Sequence, residues 1–360
     1  NTISDVSASG SITGILTGAN NKGVLSCQEN AISSILSSAS LVVGISWGTT
    51  GAATSNVENN RIYGISSTAS RGIRITANGP EVNVRKNKIY GISSPSGTVS
   101  GIEWSSVAIN CAGNISNNLI GNLSTINSSN TVAIAGIRIS SAGTFSTFNI
   151  HYNSIYFTAS STGANFGTAG LYFLSGSTAT TGMLKLRNNL IINTSIAKGT
   201  GKTTSLQSSS SSLANYDIAS SNNNVFYSGV PSALNLIFRD GTSNVQTISE
   251  FKLRVSPGDN LSTSSFPNFA SVTGSDPNFL HLATTGNCGI ANGGNNAGIL
   301  LATDYGGDVR SVISPFVTDI GADEVSKLNV WTGATASWNS SANWSLGTVP
   351  DATDINVYIP

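Results

Sequence analysis

Val82-Asn83-Val84-Arg85-Lys86-Asn87-Lys88-Ile89-Tyr90, followed after a short loop by Gly101-Ile102-Glu103-Trp104, holds the unit from which the fold can be read. It contains three short segments, Val82-x-Val84, Asn87-x-Ile89 and Gly101-Ile102-x-Trp104, whose apolar residues recur at every second position. That is the period of a half-buried β-strand. The unit repeats. Asn-x-Ile or a near copy stands at Asn30/Ile32, Asn60/Ile62, Asn87/Ile89, Asn118/Ile120, Asn153/Ile155, Asn189/Ile191 and Asn223/Val225. Subtracting successive Asn positions gives 30, 27, 31, 35, 36 and 34 residues. A near-regular period of this size marks a stacked repeat architecture.

A partner set follows the first: GISW (Gly44 to Trp47), GIRI (Gly72 to Ile75), GIEW (Gly101 to Trp104), GIRI (Gly136 to Ile139) and GLYF (Gly170 to Phe173). Three strands per turn with loops of variable length describe an all-β chain, a right-handed parallel β-helix of about seven or more coils with an irregular C-terminal cap. The expected organisation is β-helix repeats over 1–229, the last coils and cap over 230–326, and the start of a following β-rich module over 327–360. Alternation points Ile45/Trp47, Ile73/Ile75, Ile102/Trp104, Ile137/Ile139 and Leu171/Phe173 into the core. Ser46, Arg74, Glu103, Arg138 and Tyr172 then stack on the outer face. The repeated Asn is expected at a corner, where it tolerates left-handed backbone angles and can form an amide ladder along the axis. Tyr63, Tyr90 and Tyr156 share a rung position and predict an aromatic column on a second face.

Only 9% of the 360 residues are charged and the formal net charge is zero, against roughly 25% charged residues in an ordinary soluble domain. Ser, Thr, Asn and Gly carry the polarity, so the surface has no field to attract phosphate backbones or anionic membranes. Nucleic acid is excluded as an expected partner. No run of 18 apolar residues occurs, so no membrane insertion is expected. The chain opens on Asn-Thr-Ile without a Met or a basic leader, which predicts a processed secreted protein or a segment of a larger one. Its end, Val357-Tyr358-Ile359-Pro360, reads as an interrupted strand. Cys27 and Cys111 should lie about three rungs, roughly 14 Å, apart, too far for a disulfide. All three cysteines, Cys288 included, are read as small buried hydrophobes.

Beyond Tyr227 the regular repeat fades. There follow Asp276-Pro277-Asn278-Phe279-Leu280-His281-Leu282, then Asp304-Tyr305-Gly306-Gly307-Asp308-Val309-Arg310, then Asp319-Ile320-Gly321-Ala322-Asp323-Glu324. This series resembles the closing segment of secreted bacterial right-handed parallel β-helix proteins of the pectate-lyase-like repeat type, with "DPxFxxL", "DxxGxxR" and "DIGAxE" signatures. The Trp-rich tail, Val330-Trp331-Thr332-Gly333 through Ser337-Trp338-Asn339 and Ala342-Asn343-Trp344 to Gly347-Thr348-Val349-Pro350, resembles a short β-rich module of large Bacteroidetes-type surface adhesins. These resemblances imply an extracellular, cell-surface location, export by the type IX route, and glycans or other surface components as partners.

The outward ladder Arg74, Glu103, Arg138 and Tyr172 is the sharpest candidate ligand-binding site. Arginine pairs bidentately with uronate carboxylates, and a tyrosine can stack on a sugar ring. The alternative is a self-compensating charge ladder. Glycoside hydrolysis requires two carboxylates about 5 to 9.5 Å apart, and Glu103 is the one acid before residue 230 placed on this face. No catalytic residue, resident cofactor or metal is therefore expected. Asp304 and Asp308 around Gly306 and Gly307 read as a glycine turn closed by Asx hydrogen bonds, with weak Ca2+ binding as the alternative. His151 and His281 read as structural. The reading is a non-catalytic structural and adhesive segment of a secreted surface protein. A polysaccharide lyase or glycoside hydrolase acting through the Arg74/Glu103/Arg138/Tyr172 face is the alternative.

Overall fold

The computed structural model describes residues 1–360 except 21–22, 51–53, 77–78, 106–109, 142, 177–181, 313, 315–316, 326–328, 334–336, 345–348, 351–356 and 359–360. It is a right-handed parallel β-helix built from three sheets of 10, 6 and 9 strands. One coil runs Glu81–Arg85, Lys88–Ser94, Thr98–Trp104, each strand entering a different sheet. Coils stack in register: Val84 pairs with Val57 and Ile115, Ile89 with Ile62 and Ile120, and Ile102 with Ile73 and Ile137. These residues are fully buried and form one continuous core along the axis. The sheet carrying the Asn-x-Ile strands, the sheet carrying the glycine unit and the third sheet are called here the asparagine, glycine and third sheets.

The amide ladder exists. Each Asn Nδ2 donates to the Oδ1 one coil on, from Asn30 through Asn60, Asn87, Asn118, Asn153 and Asn189 to Asn224, at 2.8–3.0 Å. Two details correct the sequence reading. The left-handed residue is the one before each ladder Asn, namely Glu29, Asn59, Lys86, Asn117, Tyr152, Asn188 and Asn223, with φ of 53–57°. The ladder Asn is therefore selected for its amide, and its neighbour takes the bend. The last copy is also shifted by one: Asn223 is the bend and Asn224 the ladder residue, because Leu190 pairs with Val225 and Ile191 with Phe226. The last spacing becomes 35 residues. Asn224 Nδ2 hands the ladder to the buried carboxylate of Asp259 at 3.0 Å, which also accepts from Tyr216 Oη and Ser262 Oγ.

The invariant glycine of the partner strand has a steric cause. A Cβ on Gly101 would lie 2.4 Å from Ile120 Cγ2 and 2.7 Å from the Gly136 carbonyl oxygen. Gly44, Gly72, Gly136 and Gly170 meet the equivalent carbonyl and an Asn-x-Ile isoleucine at 2.3–2.8 Å. The glycine and asparagine sheets approach too closely here for any side chain.

The segment read as further coils and a cap over 230–326 does three things. Asn235–Arg239 adds one more parallel strand to the glycine sheet, and Asn244–Val245 pairs antiparallel with it at the edge. A helix, Ile248–Arg254, starts with a Thr247/Glu250 capping box and sets the fully buried Phe251 against Tyr216, Phe226 and Phe238 at the end of the core. The chain then turns back along the outside of the asparagine sheet. Phe279, Leu280 and Ala322 pack with Tyr90 and Leu119, and Ile320 packs with Leu190 and Val225. Lys88 Nζ donates to the Asp276 carbonyl, and Asn117 and Asn188 donate to those of Thr303 and Asn295. The tyrosine column is consequently covered at Tyr90 and Tyr156, while Tyr63 stays half-buried at its end. Tyr63 and Tyr90 stack at 5.0 Å, but Phe279 lies on Tyr90, and Phe266 and Phe269 lie on Tyr156. Cys27 and Cys111 are buried, whereas Cys288, in this returning segment, is exposed.

In the tail, Trp331, Trp338 and Trp344 cluster with centroids 4.6–6.4 Å apart. Gly347, Thr348, Ile359 and Pro360, which belonged to the tail pattern, lie outside the described residues. No described helix is long and apolar enough to cross a membrane.

Candidate functional site

The glycine sheet places the predicted ladder in one column. Ser46, Arg74, Glu103, Arg138 and Tyr172 pair in sequence, and the column continues to Gln207 and Arg239. The ten inward residues named from the alternation are all buried. A strand slipped by one residue would reverse both sets, so this register is what creates the outer face.

Within the column the charges do not pair as neighbours. Glu103 is engaged by Arg71 Nε, a residue the sequence reading passed over. Arg71 stands in the adjacent column beside Ser100 and Val43, where its Nη atoms also bond the carbonyl and hydroxyl of Thr98. The available signal was position: Arg71 immediately precedes the unit glycine, where the other copies carry Val43, Ser100, Ala135 and Ala169. Burial, then the like charges of Arg138 and Arg74, lower the Arg71 pKa, and the contacting Glu103 carboxylate opposes that shift. Arg138 Nε reaches Ser100 Oγ at 3.3 Å, its Nη2 the Val132 carbonyl at 2.9 Å, and its guanidinium lies 4.9 Å from the Tyr172 ring centroid. Arg74 Nε donates to Ser105 Oγ at 3.0 Å.

The result is a patch of three guanidinium groups and one carboxylate, with Tyr172 stacked at its edge. Both Nη groups of Arg74 and Nη1 of Arg138 have no hydrogen-bond partner among the described residues. Chemically the patch can bind an anion through forked donors. Glu103 is the single acid among the described strand residues of this sheet.

The three C-terminal motifs converge on a different task. Arg310 is fully buried and donates to Glu324 Oε2 at 2.9 Å, Thr318 Oγ1 at 3.0 Å and the Gly321 carbonyl at 2.7 Å, with its guanidinium 4.0 Å from the Tyr152 ring centroid. Asp304 Oδ1 accepts the backbone N–H of Gly307 and Asp308, and its Oδ2 that of Glu324. His281 Nδ1 bonds Asp323 Oδ1 at 2.8 Å. "DxxGxxR" and "DIGAxE" thus form a buried latch that fastens the returning segment to the coil corners. Among the described residues no group of three or more His, Cys, Asp or Glu is arranged to hold a metal ion.

The chain matches no family profile, no curated protein and no solved structure.

Proposed function

We propose that this chain is a non-catalytic structural and adhesive segment of a large secreted surface protein, and that its glycine-sheet face contacts acidic glycans. One observation carries the reading: Arg71, Arg74 and Arg138 face a single carboxylate, Glu103, which Arg71 already engages. The patch keeps unused guanidinium donors for an anionic ligand but offers no free base. The Tyr172 ring beside Arg138 supplies an apolar surface of the kind a sugar ring stacks on. Support for the surface location and type IX export comes from the resemblance of the terminal and tail motifs, and from a surface solvated by hydroxyls and amides.

A hydrolase working on this face is disfavoured by the same geometry, since hydrolysis needs a second carboxylate within about 5 to 9.5 Å, and a lyase is disfavoured because the one carboxylate that could serve as its base is engaged by Arg71. The test is a panel of uronate and neutral polysaccharides. Binding of uronates, weakened at least tenfold by Arg74→Ala or Arg138→Ala and by added salt, supports the reading. Release of unsaturated or reducing ends, abolished by Glu103→Gln, would overturn it in favour of catalysis. Labelling of intact producing cells with an antibody to the chain checks the location.

A further inference from the structure

The outer face of the third sheet carries a second amide ladder, distinct from the buried one. Asn56, Asn83, Asn114 and Asn149 stack in one column. Asn83 Nδ2 donates to Asn56 Oδ1 at 2.9 Å, Asn114 to Asn83 at 2.9 Å and Asn149 to Asn114 at 2.8 Å. Two residues further along the same strands stand Arg85, Ser116 and His151. The returning C-terminal segment passes alongside, and Ile299 and Leu301 wall off a cleft of about 300 Å3 that spans three coils.

Unused hydrogen-bonding capacity faces this cleft. Ser116 is 5% exposed as a residue; its Oγ bonds no described residue and is open to the cleft it lines, so the hydroxyl is free to donate and accept there. The His151 ring also has no hydrogen bond to a described residue. Its burial, with the cations of Arg187 and Lys185 nearby, lowers its pKa, so at neutral pH the ring offers one donor and one acceptor. Asn83 and Asn149 each spend one N–H on the ladder and keep another, and each retains acceptor lone pairs.

The charged groups sit at one end of the cleft and have partners: Glu81 accepts from Thr54 Oγ1 and Asn114 Nδ2, and Arg85 Nε is held by Glu58 at 2.5 Å, which leaves the Arg85 Nη groups open at the rim. Along the rest of the cleft the unpaired groups are neutral donors and acceptors beside two aliphatic side chains. A lone anion or cation would satisfy half of these groups and oppose the rest. An apolar ligand would strand Ser116 and His151. Ligands whose hydroxyls both donate and accept, and whose ring faces are apolar, meet the whole set.

We propose that this cleft binds a neutral oligosaccharide lying along the helix axis, with hydroxyls on the Asn83/Asn114/Asn149 floor, Ser116 and His151, and C–H faces against Ile299 and Leu301. The floor repeats at the inter-strand spacing of about 4.8 Å, so a polymer of repeating units is the natural occupant. The site lies on a different face from the arginine patch and stands or falls independently of it.

The test is an NMR titration of the full chain with neutral β-1,4-linked hexasaccharides of glucose, xylose and mannose. For at least one, shifts should concentrate on the side-chain amides of Asn83, Asn114 and Asn149 and on the Ser116 and His151 signals. The double variant Ser116→Val/His151→Phe should weaken that binding tenfold or more. No perturbation at millimolar concentration of all three, perturbations centred elsewhere, or undiminished binding by the folded double variant would overturn the proposal. If the double variant does not fold, the wild-type shift map alone decides.

Discussion

Replacing Asn118 by Leu interrupts the buried amide ladder at its middle while keeping the same number and branching of side-chain heavy atoms. The side chain is fully buried and makes four hydrogen bonds. Its Nδ2 donates to Asn153 Oδ1 at 2.9 Å and to the Val84 carbonyl at 2.8 Å, and its Oδ1 accepts from Asn87 N and Nδ2 at 3.0 Å. At about 0.5–1.5 kcal/mol net per bond, the loss is on the order of 2 to 6 kcal/mol. The buried Asn87 N–H is also left without its acceptor, which places the expected value in the upper half of that range. Backbone strain contributes nothing, because the left-handed residue is Asn117. The assay is urea unfolding followed by near-ultraviolet circular dichroism, which reports the packing of Trp47 and Trp104. Because a solenoid can open coil by coil, the quantity compared is the midpoint at constant slope. The reference is Ser96→Leu at an exposed loop position, where a change within about 0.5 kcal/mol is expected. Equal midpoints for the two variants would refute the assignment of the ladder as a principal stabilising element.

Gly101→Ala should destabilise by about 1–3 kcal/mol, since the clash with Gly136 O involves backbone that cannot yield; Gly10→Ala, which meets nothing within 4 Å, should be near neutral in the same urea assay. Arg310→Met should cost about 3–5 kcal/mol by leaving Glu324 buried without its partner. It should also release the returning segment, seen as faster hydrogen exchange from Leu280 to Ala322 while the core coils stay protected. Asp323, through its hydrogen bond, raises the His281 pKa. Its stabilisation is therefore complete below the ordinary histidine pKa of about 6.5 and is lost as pH rises through the folded value. A stability profile from pH 5.5 to 8.5 should show a downward component that disappears in His281→Gln; an identical profile in that variant would contradict the pairing.

Much of this molecule was legible because the coil repeats. The alternation in Gly101-Ile102-Glu103-Trp104 assigned Ile102 and Trp104 to the core and Glu103 to the outer face, and the pleat enforces that division wherever one face is buried. What the repeat left open was anything set between coils or between distant segments. Asn223 and Asn224 are interchangeable by composition, and only the pairing of Val225 with Leu190 shows which of them carries the ladder. Arg71 lay outside the motif, so its engagement of Glu103 needed the packing of two adjacent columns.

The sequence by itself determined the solenoid, its three strands per coil and the column on which Arg74, Glu103, Arg138 and Tyr172 stand. These follow from short-range periodicity, which fixes where each side chain points. Only the tertiary structure decided that the C-terminal segment folds back over the tyrosine column, that Arg310 and Glu324 latch it there, and that its edge turns the third sheet into a cleft. Those contacts join residues as far apart as Lys88 and Asp276. No local period encodes such pairs, and they form because the apolar residues Phe279, Leu280 and Ile320 are buried against a sheet face that would otherwise meet water.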